Sequence, residues 1–139
     1  MDHDADLTDL AEELRTAVGD FVRRVRAYDT MPRSQVAVLG HLARTGPLSI
    51  ADLARRERVK HQSMTRTINL LNDQGLVSLG AAEDDRRRVV VTLNGTGTRR
   101  LTEERRQRSA RIAAALQTLD GEERALIARL PAVLDKLVD

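Results

Sequence analysis

No cysteine occurs in the 139 residues of this chain. That excludes disulfides, thiolate metal ligands, cysteine nucleophiles and thiol-based redox sensing within it. Tryptophan is missing too, and aromatic residues make up 1% of the sequence, as one Phe and one Tyr. A core must therefore be assembled from Leu, Val, Ile and Ala, which suits helices. Lysine is scarce, at 2 residues against 21 Arg. No apolar run approaches the ~20 residues of a membrane-spanning helix. The opening MDHDADLTDL is acidic and lacks the basic-then-apolar layout of a signal peptide. The expectation is a cytoplasmic protein with no membrane partner.

What is present bounds the class further. The length is that of one ordinary domain, expected to span 1–139, and 41% hydrophobic residues suffice for a core. Charged residues reach 32%, which predicts extensive solvated helix faces. The net charge of +2 is uninformative, but its distribution is not. Residues 55–111 carry 14 Arg/Lys against 7 Asp/Glu, whereas residues 1–54 carry 6 against 9 and residues 112–139 carry 3 against 5. A basic middle between acidic ends fits a nucleic-acid-binding face, although a preference for arginine as solubilising residue gives a similar pattern.

Apolar residues recur at helical spacing from Leu7 through Leu10, Leu14, Val18 and Phe21 to Val25, predicting a first helix over 6–28. Met31-Pro32-Arg33 breaks it, because proline cannot continue a helix and restricts the residue before it. Ser34 is the expected cap of a second helix, which Thr45-Gly46-Pro47 ends. Ser49 caps a short third helix with Ala51, Leu53 and Ala54 inward, and Asp52 completes a capping-box pattern with Asp in place of Glu. After the turn Glu57–Lys60, a fourth helix over about 61–74 has Met64, Ile68 and Leu71 inward and stops at Gly75. Leu76-Val77 opens one strand and Val89–Leu93 forms a second, with Gly80 and the polar run Glu83–Arg88 in the connecting hairpin. Asn94 caps a fifth helix over about 95–117, whose charged middle, Glu103–Arg111, is expected to face solvent or a partner. Asp120 caps the last helix, with an apolar stripe through Leu126, Ile127, Leu130, Val133, Leu134 and Leu137 and a kink expected at Pro131. The fold class is mostly α (α+β): a winged helix-turn-helix lobe over about 34–93, with dimerisation helices over about 6–28 and 95–138.

A helix that enters the major groove must bury one face and offer the other to base edges. In the fourth helix the outward set is His61, Gln62, Ser63, Thr65, Arg66 and Asn69, and no acid appears before Asp73. Gln62, Ser63, Arg66 and His61 are the candidates for base reading, since Arg reads guanine, Gln reads adenine and Ser reads either. Arg55, Thr65 and Asn69 are candidates for phosphate contacts. Between the strands, Asp84-Asp85-Arg86-Arg87-Arg88 cannot bury three consecutive arginines. Arg86, Arg87 and Arg88 are therefore the wing candidates for a minor groove or its phosphates. The acids beside them repel DNA unless they orient an arginine by a charge-assisted hydrogen bond. A generic amphipathic surface helix and a solubilising turn are the bland alternatives; helix and wing in this order are more specific than either alone.

With these residues in view, the chain resembles the MarR family of bacterial winged-helix regulators along nearly its whole length. The carrying residues are Leu53-Ala54, Met64-Thr65-Arg66, Leu71 with Gly75-Leu76-Val77, Asp84-Asp85-Arg86-Arg87 and Leu93-Asn94-Gly95-Thr96-Gly97. The resemblance implies an obligate homodimer with interlocking first, fifth and sixth helices, and two winged lobes on successive major grooves of pseudo-palindromic double-stranded DNA. It implies Asp85 as the residue that orients the wing arginine and Arg87 as the one that reaches the minor groove. Many members lose DNA affinity on binding small, often aromatic acids between the dimerisation and DNA-binding parts, so a small-molecule effector is a possible partner; the thiol-sensing branch is excluded. The sequence departs from the family at Lys60, where a Ser or Thr cap is usual, at Leu79, where an Arg is common, at Ala81 and Ala82, which replace Pro and Asp, and at Asn94, which replaces a Thr.

No other constellation carries chemistry. His3, His41 and His61 have no metal-ligand spacing, and His41 reads as a packed or partly buried histidine. Asp84/Asp85 and Glu103/Glu104 lie in charged runs rather than pocket-like contexts, so no hydrolase is expected. Tyr28 either lines an effector pocket or packs at the end of the first helix. The expected protein is no enzyme and takes no metal or cofactor. It is a homodimeric, sequence-specific DNA-binding repressor. The competing readings are a sequence-tolerant architectural DNA binder and a winged-helix module that binds protein.

Overall fold

The computed structural model describes residues 3–138. Among them six helices and three strands follow in the order α1 (His3–Arg26), α2 (Arg33–Thr45), β1 (Leu48–Ser49), α3 (Ile50–Glu57), α4 (His61–Asp73), β2 (Val77–Ala81), β3 (Val89–Leu93), α5 (Gly95–Leu116) and α6 (Gly121–Asp135). They fall into two compact units. One runs from Asp29 to Arg106; the other combines the chain up to Tyr28 with the chain from Gln107 onward.

The unit from Asp29 to Arg106 contains the buried core. Val38, Leu39 and Leu42 of α2 meet Leu53 of α3, and Met64, Ile68 and Leu71 of α4, with Leu76, Val77 and Val91 beneath the sheet side and Leu101 of α5. The 4-and-3 spacing of Met64, Ile68 and Leu71 puts all three on one face, and all three are buried as expected. Leu53 and Ala54 are buried too, while Ala51 is half-buried and Ile50 takes the inward place beside them. The β-branched run Val89–Val91 makes the central strand. It pairs antiparallel with β2, from Val77 opposite Leu93 to Ala81 opposite Val89, and on its other edge with β1.

Several local expectations are corrected. Gly80 lies inside β2, paired with Val90, rather than in the hairpin loop. Strand β1 was not expected. Two residues carry no periodicity, and Leu48 and Ser49 become a strand only by pairing with Val91 and Val90. The cap of α2 is Pro32, not Ser34: the Pro32 carbonyl accepts from the Gln35 and Val36 amides at 3.1 and 3.2 Å. Proline lacks an N–H and has its φ pre-set near the value seen here, −58°, so it can precede the first turn at no cost in donors. The first helix ends at Arg26 rather than 28.

Three helix starts match the caps read from sequence. The Ser49 hydroxyl accepts from the Asp52 amide at 3.0 Å. Asp120 and Glu123 form a reciprocal capping box at α6. Asn94 also caps α5, accepting from the Gly97 amide at 2.8 Å, and its side-chain amide donates to the Gly75 carbonyl at 2.8 Å. One residue thus joins the stop of α4 to the start of α5. Gly97 is required there: a Cβ would lie 2.1 Å from the Leu76 carbonyl oxygen.

The charged middle of α5 is not uniformly exposed. Glu104 is 1% exposed, and its carboxylate accepts from the Thr30 amide, the Thr30 hydroxyl and the Met31 amide at 2.8–3.0 Å. The surface placement expected of Glu104 is therefore wrong. Its charge is tolerated in the interior because it is hydrogen-bonded, with the Arg100 guanidinium 3.9 Å away.

In the other unit, α6 continues through Pro131 to Asp135, so the proline does not divide it. No residue of α6 is buried, and Leu126, Val133 and Leu137 are exposed. On α1, Leu7, Leu10, Val18 and Phe21 are exposed as well. No helix among the described residues is long and apolar enough to cross a membrane.

Candidate nucleic-acid interface

The interface is built on α3, α4 and the wing, all within one unit. Helix α3 starts at the Ser49 cap and ends at Glu57. The Ser49 hydroxyl, together with the Arg55 guanidinium, holds the Asp52 carboxyl below the ordinary carboxylate value, against a smaller upward push from burial. Arg55, a phosphate candidate, is exposed and ion-paired to Asp52. The turn that follows places Arg58 in the left-handed region, at φ 55° and ψ 44°.

Helix α4 begins at His61. Its N-cap Lys60 makes no side-chain cap bond, in keeping with the departure seen in the sequence. His61, Gln62, Ser63, Arg66 and Asn69 are exposed; Gln62 and Arg66 lie opposite the buried Met64, Ile68 and Leu71, whereas His61, three residues before Met64, is exposed at the helix start on their face. Thr65 is half-buried, and its hydroxyl donates to the His61 carbonyl at 2.9 Å, leaving its lone pairs rather than its proton for a ligand. The first turn contains no acid.

The wing connects β2 and β3. The Ala82 amide donates to the Arg88 carbonyl at 2.9 Å, and the Arg88 amide to the Asp85 carbonyl at 3.1 Å, which closes the tip. Asp85 bonds the main chain of Arg87 rather than its guanidinium: the Asp85 carboxylate accepts from the Arg87 amide at 3.0 Å. The side-chain ion pair of the tip links Arg88 to Asp84 at 3.1 Å. Asp85 therefore shapes the loop that presents Arg87, and the guanidinium-orienting bond belongs to Arg88. Arg86, Arg87 and Arg88 are all exposed. Between the wing and the start of α4 lies a hollow of about 290 Å³, bordered by Ile50, His61, Asp85, Arg87 and Arg88. Of the base-reading candidates His61 borders this hollow, together with Asp85, Arg87 and Arg88 of the wing.

Two features were not legible in the sequence. His41 is partly buried as expected, but it bonds the Glu57 carboxylate through Nε2 at 2.5 Å, while the Arg44 guanidinium approaches its Nδ1 at 3.2 Å. This pins the end of α3 to α2, just before the turn into α4. The other is the backbone of Arg58. Elsewhere, in the unit of α1 and α6, Tyr28 is 70% exposed, with the Arg111 guanidinium 5.5 Å from its ring centroid. It borders a mainly apolar hollow of about 520 Å³ with Phe21, Val25, Arg111, Ile112 and Ala115. Tyr28 thus lies just after the end of α1 and at the rim of this hollow.

A helix with one face in the core and its first turn exposed and acid-free, with an arginine-tipped wing beside it, is the arrangement of a winged helix-turn-helix. Residues 29–88 match the MarR family. An HTH-type transcriptional regulator of Mycobacterium tuberculosis is 34% identical over 133 residues, covering 94% of this chain and 93% of that protein. A putative transcriptional regulator of Pseudomonas aeruginosa, of known structure, is 30% identical with a TM-score of 0.81, covering 98% of this chain and 96% of that one. BpsR of Bordetella bronchiseptica, whose DNA binding is regulated by 6-hydroxynicotinic acid, is 25% identical with a TM-score of 0.58, over 93% and 94% of the two chains. The chain belongs to the MarR family of DNA-binding transcriptional regulators.

Proposed function

We propose that this protein is a homodimeric repressor that binds a pseudo-palindromic operator with two winged lobes. The observation that carries the reading is the division of α4: a fully buried Met64–Ile68–Leu71 face, and an exposed, acid-free first turn beside three wing arginines. Gln62, Ser63 and Arg66 read bases with His61 at their edge, Arg55, Thr65 and Asn69 contact phosphates, and the wing places Arg87 in the minor groove with Arg86 and Arg88 at the backbone. Asp85 sets the turn that aims Arg87.

Dimerisation is supported by the apolar side chains left open by α1, by α6 and by the turn after it, among them Leu7, Leu10, Leu126 and Leu137. A palindromic reader needs two lobes about 34 Å apart, which one chain with a single α4 does not supply. Release by a small aromatic acid is supported by the apolar hollow at Tyr28 with Arg111 at its rim, and by the ligand that regulates BpsR.

The test is selection of bound duplexes from a random DNA pool at near-physiological salt. The expected result is enrichment of a palindrome with half-sites one helical turn apart. Binding without enrichment marks a sequence-tolerant architectural protein, and no binding even at low salt marks a protein-interaction module.

A further inference from the structure

We propose that Arg58, in the turn between α3 and α4, is a phosphate-contacting residue of the DNA interface. Three described residues have φ in the left-handed region: Gly46 at 88°, Gly75 at 74° and Arg58 at 55°. The first two are glycines, which take this conformation freely. Arg58 takes it with a Cβ, against the crowding that disfavours left-handed backbone in L-residues.

Nothing in the turn itself asks for arginine. The bonds that close it are main-chain bonds, from the Arg58 amide to the Arg55 carbonyl at 3.2 Å and from the Val59 amide to the Ala54 carbonyl at 3.0 Å. Glycine would make both. The side chain is exposed, and among the described residues ion pairs engage Arg23, Arg55, Arg88, Arg100 and Arg106, but not Arg58. A strained, unpaired cation kept at a turn is a functional signal. The turn leads within three residues into His61, Gln62 and Ser63, so the anion it meets is the backbone of the strand whose bases α4 reads. This inference rests on the reading of α4 as the groove-entering helix.

The experiment compares wild type, Arg58→Gly and Arg58→Lys as full chains. Each is melted, then titrated with a mixed-sequence DNA duplex at several salt concentrations. Arg58→Gly is expected to melt at an equal or higher temperature than wild type and yet bind roughly five-fold more weakly, with a salt slope shallower by about 0.9 per lobe. Arg58→Lys is expected to keep the wild-type slope. An unchanged slope in Arg58→Gly overturns the phosphate contact, and a lower melting temperature overturns the strain argument. Absence of wild-type binding at low salt overturns the reading of α4, and this inference with it.

Discussion

Glu104 holds Thr30 by both its amide and its hydroxyl, across 74 positions of sequence. Burial pushes the Glu104 carboxyl up; the Thr30 hydroxyl, the Thr30 and Met31 amides and the Arg100 charge together outweigh it, so the net displacement is downward from 4.5. A group whose value is depressed by folding contributes stability that is present above its unfolded value and lost as pH falls through its folded value. Wild-type protein should therefore lose stability as pH drops below about 4.5. Glu104→Gln, which turns an amide nitrogen toward the Thr30 hydroxyl and Arg100, should cost about 2 kcal/mol at neutral pH. It should also flatten the acid limb of a melting-temperature profile. An acid limb as steep as the wild type's would mean that other carboxylates cause it.

The wing gives a second prediction, through the difference between a backbone and a side-chain contact. Asp85 accepts from the Arg87 amide, and an asparagine oxygen can do the same. Asp85→Asn should therefore keep DNA affinity, while Asp85→Ala should lower it. Fluorescence titrations of both variants decide the matter: equal losses would show that the carboxylate charge, rather than the turn, is what counts.

Arg87→Ala should weaken binding and make its salt dependence shallower, because one cation per lobe is withdrawn from the minor groove. Arg66→Ala should instead cost roughly 1–3 kcal/mol on the selected operator and relax preference at one base position. Measuring both variants on cognate and scrambled duplexes separates the two roles. A uniform loss for Arg66→Ala would move Arg66 to the phosphate set.

Leu126 is 66% exposed within the protomer, so replacing it should spare the fold. If α6 closes a dimer, Leu126→Lys should shift the sedimentation mass toward the single chain at micromolar concentration, with little change in helix content by circular dichroism. A wild type that already sediments as a single chain would remove the dimer altogether.

Local signals made most of the interface legible. The 4-and-3 spacing that buries Met64, Ile68 and Leu71 also fixes what is left outside, and the Ser49, Asn94 and Asp120 caps are bonds across three residues. What escaped was non-local. Strand β1 exists only through pairing with Val90 and Val91, and Gly80 belongs to a strand only because Val90 lies opposite. Glu104 sits in a run of charges that reads as solvent-facing, and its partners lie more than 70 residues upstream. Arg58 escaped for a different reason: an arginine does not advertise a positive φ as glycine does.

Gly97 sets the start of α5 directly on the Leu76 main chain, with no room for even one carbon between them. The separation of the two segments at this seam is fixed by the radii of backbone atoms, not by any side chain that substitution could enlarge or trim. If α4 reads bases, as proposed, changes on its outer surface leave this seam untouched. On that reading, base preference and this seam are separately adjustable, and only the first is open to gradual change.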